Sequence, residues 1–219
     1  MKKFRRILEV LALISFVIIG VLVVYRGPPV PQPPSEEELA PAKFWKELGG
    51  KWVQCQLCFR KCTIPEGGRG YCTARLNKGG KLYSLVYGKV TAQIDPVEKE
   101  PLLHFLPATE TLCFGTAGCN FQCTFCQNWH LAARPPEEVG LGFLSPEEAV
   151  NKAIEFGCSS VSFTYNEPTV FYEWAYDVCE LARRKGLRTY FHTNGAINPE
   201  PLKELLKHLD AVCVDLKGF

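Results

Sequence analysis

The sequence has almost no net charge: 25 Lys and Arg face 23 Asp and Glu, a formal balance of +2. Without a basic excess it carries no electrostatic footprint for a nucleic-acid partner. The folded portion has no internal repeat, which excludes solenoids and propellers. No A-x-A site follows the apolar N-terminal run, which argues against a cleaved secretory signal. A disulfide framework also fits poorly, because the cysteine count, eleven, is odd and would leave a thiol unpaired.

Cysteine itself is abundant and clustered. Cys119, Cys123 and Cys126 fall in "GTAGCNFQCTFCQNWH" as C-x-x-x-C-x-x-C, with no fourth cysteine in the loop. Cys55, Cys58, Cys62 and Cys72 fall in "CQLCFRKCTIPEGGRGYC". Such short spacings suit metal or cluster ligation better than disulfides. Three thiolates can hold three irons of a [4Fe–4S] cluster and leave the fourth iron open for a small molecule, as catalytic zinc keeps an open position. Zinc held by the same thiols with His130 is the alternative that spacing leaves open. Gly115 and Gly118 let the backbone wrap tightly, and Phe125 can shield the cluster from water. The upstream quartet would form a closed site, structural or electron-relaying, holding zinc or a second [4Fe–4S] cluster, zinc standing first. Cys113, Cys158, Cys179 and Cys213 lie in strand or helix patterns and read as small buried hydrophobes.

The run from Ile7 to Tyr25 is apolar except for Glu9 and Ser15. As a helix it would span about 28 Å at about 1.5 Å per residue, close to the ~30 Å of a bilayer core. It is expected to be an uncleaved, single-pass membrane anchor. Lys2, Lys3, Arg5 and Arg6 precede it and favour a cytoplasmic N-terminus, which puts the rest of the chain outside. Arg5-Arg6 resembles a twin-arginine export signal, although Glu9 stands where an apolar residue is expected. "GPPVPQPPSEEELAP" reads as a stiff polar linker, and folded structure is expected from Ala42.

"KFWKELGG" predicts a short helix ended by glycines. "KLYSLVYGKVTAQID" contains two β-rich runs around Gly88, after a Gly79-Gly80 turn. From Thr111 strands and helices alternate. "TLCFG", "SSVSFTY", "LRTYFHT" and "DAVCVDLK" are strands. "SPEEAVNKAIEF", with Ser145 as cap and Pro146 at the first position, is a helix. So are "PTVFYEWAYDVCELARRKG" and "NPEPLKELLKHL", the latter capped by Asn198. Strands joined by helices imply right-handed β-α-β units and a parallel sheet.

"CNFQCTFCQN" resembles the cluster loop of the radical S-adenosylmethionine (SAM) superfamily, C-x-x-x-C-x-aromatic-C. The resemblance implies a [4Fe–4S] cluster whose unique iron binds SAM, a low-potential electron donor, and reductive cleavage of SAM to a 5′-deoxyadenosyl radical that abstracts hydrogen. "GTAGCNFQCTFCQNW", "CQLCFRKC", "GGRGYC", "LYSLVYG", "DPVEKEPLLHFLP", "TYNEP", "TNG" and "VDLKGF" together are similar to the AmmeMemoRadiSam-system branch, which is pyruvate formate-lyase activating enzyme-like. That branch usually has C-P-R-x-C where this chain has Cys58-Phe59-Arg60-Lys61-Cys62. The implied fold is α/β: a partial (βα) radical SAM barrel, truncated after its fourth strand. A small Cys-rich β region and an N-terminal transmembrane helix precede it. The expected boundaries are 1–26 for the anchor, 27–41 for the Pro-rich linker, 42–108 for the Cys-rich region and 109–219 for the radical SAM core.

The resemblance also implies site residues. Where the superfamily has Gly-Gly-Glu-Pro, this chain has Tyr165-Asn166-Glu167-Pro168. Glu167 would accept the methionine ammonium; its other reading is a charge at a helix N-terminus. Asn194, Asp215 and Lys217 would hold the cofactor's ribose or carboxylate; Asp215 and Lys217 could instead simply pair. His192 occupies an acidic position of the activating enzymes and reads as an ordinary strand-end histidine. His104 reads as a loop-packing residue or as one that reaches the active site, and Trp129 as a core aromatic ahead of a base-stacking platform. The substrate, a protein or a small molecule, is not named by any motif. Two other classes compete: a membrane-tethered iron–sulfur electron-transfer module, and a zinc-binding interaction protein.

Overall fold

The computed structural model describes residues 39–218. The expected anchor, and the expected linker up to residue 38, lie outside the described residues. Among the described residues no helix is long and apolar enough to cross a membrane.

Short hairpins build the N-terminal part. Strands β1 (Ala40–Pro41), β2 (Trp45–Gly49), β3 (Trp52–Cys55), β4 (Thr63–Ile64), β5 (Arg75–Lys78) and β6 (Lys81–Ser84) form two small antiparallel sheets, ordered β1-β6-β5 and β2-β3-β4. Ordered pairing thus begins two residues before the expected Ala42, with Ala40 opposite Ser84. The helix expected in "KFWKELGG" is strand β2 instead. Gly49, Gly50 and Lys51 all have positive φ (83°, 55° and 62°). They turn the chain back on itself, and Trp45 pairs with Cys55. So short a helix is marginal alone, and the cross-strand ladder wins. Gly79-Gly80 forms the expected turn, joining Lys78 to its partner Lys81.

The main sheet adds β7 (Lys89–Pro96), β8 (Glu110–Gly115), β9 (Gly142–Phe143), β10 (Ser160–Phe163), β11 (Arg188–Thr193) and β12 (Ala211–Val214). Its order is β12-β11-β10-β8-β7-β9. Among the described residues four α-helices accompany it: α1 (Trp129–Ala132), α2 (Pro146–Glu155), α3 (Tyr172–Arg184) and α4 (Pro199–Leu205). β8, β10, β11 and β12 run parallel, as expected. β7 and β9 are antiparallel additions, so the sheet is mixed rather than purely parallel. β7, expected within the separate Cys-rich region, is part of the main sheet. The whole is an α/β arrangement compatible with a partial barrel.

Register explains the core. Phe114, Phe163 and Phe191 lie side by side across β8, β10 and β11. Trp174 of α3 packs edge-on against Phe114 at 5.0 Å between ring centroids, and Phe163 meets Phe191 at 5.0 Å. All four residues of β10 are buried, as a strand covered on both faces requires. α2 starts with a full capping box between Ser145 and Glu148. α4 departs from expectation: Asn198 sits at its cap position, but its Nδ2 donates to the carbonyls of Gln56 (2.6 Å) and Cys58 (2.9 Å). It therefore fastens the Cys-rich region to the loop after β11. A buried ion pair, Arg75 with Glu173 at 2.7 Å, does the same between β5 and α3.

Candidate active site

The C-terminal ends of the four parallel strands deliver the site. β8 leads into the cysteine loop, β10 into Thr164–Glu167, β11 into Asn194, and β12 into Asp215 and Lys217. They enclose a cavity of about 340 Å³ lined by Cys119, Cys123, Cys126, Glu167, His192, Asn194, Asp215 and Lys217. That volume suits a small molecule, and the strand C-termini are where α/β folds place ligands. Every cofactor-side residue expected from the resemblance lines this one space.

The cysteine loop is held from both sides. Asn166 accepts from the Thr116 N–H at 3.0 Å and donates to the Gly118 carbonyl at 2.7 Å. Gly118 has a φ of +86°, and a Cβ there would stand 2.1 Å from the Cys72 carbonyl oxygen, so only glycine fits. Burial pushes the Cys119 thiol up to about 11, so metal ligation must expel its proton. Tetrahedral zinc, with Zn–S bonds of about 2.3 Å, would draw its sulfurs to about 3.8 Å of one another. Among the described residues, the three-ligand groups converging within 4.8 Å are His192–Cys213–Asp215 and Asp95–Glu100–Cys113, and the loop thiols are in neither. The loop thiols are thus not drawn together as a single zinc ion would draw them. His130 is exposed and does not line the cavity, against the zinc alternative. Phe125, 68% exposed, forms part of the cavity wall. Trp129 is 56% exposed rather than a core aromatic. His104 is exposed and away from the cavity lining.

Glu167 is almost fully buried. Its Oε1 accepts from the Thr169 N–H (3.1 Å) and from the hydroxyls of Thr169 (2.6 Å) and Thr193 (2.7 Å); its Oε2 accepts from the Asn194 N–H (2.8 Å). It also caps the 3-10 turn Pro168–Phe171, so the helix-terminus reading holds. With a single donor, Oε2 retains capacity for a ligand ammonium. Tyr165, where the superfamily has glycine, has a φ of +65°. Glycine takes that left-handed conformation freely, whereas a tyrosine is strained there. Its hydroxyl donates to Asp95 at 2.7 Å.

The Asp215–Lys217 pair, 2.6 Å, is one link of a longer chain. His192 Nε2 lies 2.9 Å from Asp215, and His192 Nδ1 lies 3.1 Å from Glu100. The hydrogen bond to Glu100 raises the His192 pKa, burial opposes it, and Asp215 adds to the rise. Burial acts against Asp215, but Lys217 and His192 hold its carboxyl below the usual range. His192 is therefore more than a strand-end histidine: it joins the cavity wall to a buried carboxylate. Glu100 was not singled out from the sequence, where "DPVEKEPLLHF" shows only a run of charge. Asn120 was missed too; its Oδ1 accepts from Asn194 Nδ2 at 2.8 Å.

Cys55, Cys58, Cys62 and Cys72 come together around a separate small cavity. Cys113, Cys158 and Cys179 are buried, as expected; Cys213 is half-buried beside His192 and Asp215.

Residues 114–219 match the family model described as the radical SAM superfamily. The chain is also 46% identical, over 178 residues, to an uncharacterized protein of Methanocaldococcus jannaschii. That similarity covers 81% of this chain and 53% of the relative, so the chain spans about half the length of the protein it matches.

Proposed function

We propose that this chain, which carries a radical SAM superfamily domain over residues 114–219, is an enzyme that reductively cleaves SAM and abstracts hydrogen from a substrate. Cys119, Cys123 and Cys126 hold three irons of a [4Fe–4S] cluster and leave the fourth for SAM. When bound, the reduced cluster supplies the electron that splits SAM into methionine and a 5′-deoxyadenosyl radical. Glu167 accepts the cofactor's ammonium on Oε2. Asn194, Asp215 and Lys217 hold its ribose and carboxylate, and His192 keeps Asp215 oriented. Phe125 limits water at the cavity. Within this class we favour the activating-enzyme type, acting on a protein or a small molecule.

One observation carries the reading: three thiols and four ligand-type polar residues, from four separate strand ends, line one cavity. An electron-transfer module has no need of Glu167, Asp215 or Lys217 there. The test is product formation. Anaerobically reconstituted protein with dithionite should convert SAM to 5′-deoxyadenosine and methionine, and the Cys119→Ala/Cys123→Ala/Cys126→Ala variant should not. Cleavage that survives the triple substitution would refute the proposal.

A further inference from the structure

The second cysteine group has its own cavity, about 20 Å³, bounded by Cys55, Cys58, Cys62, Cys72, Arg75 and Asn120. That is enough for a water-sized body, which needs about 10–15 Å³. A zinc ion bound by four thiolates leaves no such space, because bonds of about 2.3 Å bring the sulfurs into mutual contact. No three of these four thiols converge within 4.8 Å. The cavity is small, and it is the lack of convergence of the thiols that speaks for an occupant with more than one metal atom.

The wall points to the occupant's chemistry. Arg75 Nε and Asn120 Nδ2 are buried donors without a hydrogen-bond partner, in residues only 2% and 1% exposed. Buried donors of this kind are rarely left unbonded. Arg75 interacts electrostatically with Cys55 and Cys72, and Asn120 faces Cys58. The Arg75 charge is already offset by Glu173, so the pointer is the two N–H groups left beside four thiols, which suit a group that presents sulfur acceptors at its surface.

We propose that Cys55, Cys58, Cys62 and Cys72 hold a second [4Fe–4S] cluster, closed by its four thiolates. This reverses the order of zinc and cluster that spacing alone suggests. With no open iron, its chemistry is one-electron transfer. It takes one electron from a low-potential donor, going from the 2+ to the 1+ state. It returns to 2+ by passing that electron to the cluster at Cys119, Cys123 and Cys126, with no bond or proton changed. The two centres adjoin. Asn120 follows Cys119 in the chain, walls the second cavity, and bonds Asn194 of the first at 2.8 Å. Gly118 lies directly on the Cys72 carbonyl. The metal assignment is independent of the SAM reading; the relay rests on it.

The full-length Cys119→Ala/Cys123→Ala/Cys126→Ala variant isolates the second site. After anaerobic reconstitution with iron, sulfide and zinc all present, it should carry about four irons and four sulfides per chain. Its reduced electron paramagnetic resonance signal should be indifferent to SAM. One zinc without sulfide, or a folded chain without metal, overturns the assignment. Should that variant fail to fold, the wild type decides: about eight irons support two clusters, whereas about four irons with one zinc overturn the second. For the relay, fully reduced wild type should show spectra broadened by spin–spin coupling that neither the triple variant nor Cys58→Ala/Cys62→Ala shows. Simply additive spectra would overturn the relay. SAM cleavage by Cys58→Ala/Cys62→Ala with dithionite reports the first site separately, so failure of one reading does not hide in the other.

Discussion

Four hydrogen-bond donors converge on Glu167, three on Oε1 and one on Oε2. Its negative charge organises the turn after β10 and the backbone of Asn194, and leaves one acceptor position toward the cavity. Glu167→Gln keeps the length but sets an amide donor against another donor, at a cost of about 1–3 kcal/mol. The expected outcome, by denaturant titration, is destabilisation of that size with normal iron content, and SAM affinity at least ~10-fold weaker by equilibrium binding. Undiminished affinity would remove Glu167 from the cofactor. His192 gives a pH signature. Its folded pKa lies above the ordinary 6.5, chiefly through Glu100. The stabilisation is thus fully present below pH 6.5 and is lost as pH rises through the folded value. Glu100, Asp215 and, behind it, Lys217 face the ring, with Cys213 beside it. Burial lowers the His208 pKa and works the other way, so stability measured from about pH 6 to 8 should fall more steeply for the wild type than for a chain without the His192 ring. His192→Gln should flatten that slope; an unchanged slope would place the titration elsewhere.

The elements that were legible in the sequence carry their signals locally. Ser145, Pro146 and Glu148 mark the start of α2 within four residues, and the structure shows the complete capping box they imply. Ser145→Ala should cost about 1 kcal/mol in chemical denaturation without changing cavity chemistry. β8, β10, β11 and β12 were legible for the same reason, each being a short apolar or β-branched run between turn residues. β2 was not. "KFWKELGG" is fixed as a strand by its partner β3 and by a hairpin whose Lys51 adopts a φ of +62°, and neither is visible in the segment itself. The site divides likewise. The cysteines, Glu167, Asn194, Asp215 and Lys217 sit in recognisable motifs. Glu100 matters because it meets His192 from 92 residues away, and Asn120 because it reaches Asn194 across 74. Such pairings exist only once the sheet has formed.

At the scale of the described molecule, the Cys-rich hairpins and the parallel strands are built as one unit. Arg75 and Glu173 join them through a pair with both side chains at most 4% exposed. The Lys43 N–H adds a 2.7 Å bond to the same carboxylate oxygen. Arg75→Met leaves Glu173 buried without its cation and should cost about 3–5 kcal/mol, whereas Arg75→Met/Glu173→Leu should cost less than the single change. Equilibrium unfolding of the three proteins reads the difference; a double variant worse than Arg75→Met would deny that the pair acts as a unit. The same junction brings the second cysteine group beside the first, so the N-terminal hairpins take part in building the site.

The central claim is that three thiols leave one iron open and that SAM occupies it. The electron paramagnetic resonance spectrum of the anaerobically reconstituted, dithionite-reduced protein, recorded with and without SAM, addresses it most directly. The account predicts a reduced-cluster signal that changes when SAM is added and stays unchanged in the Cys119→Ala/Cys123→Ala/Cys126→Ala variant. A wild-type cluster signal indifferent to SAM, or no cluster signal at all, would contradict it.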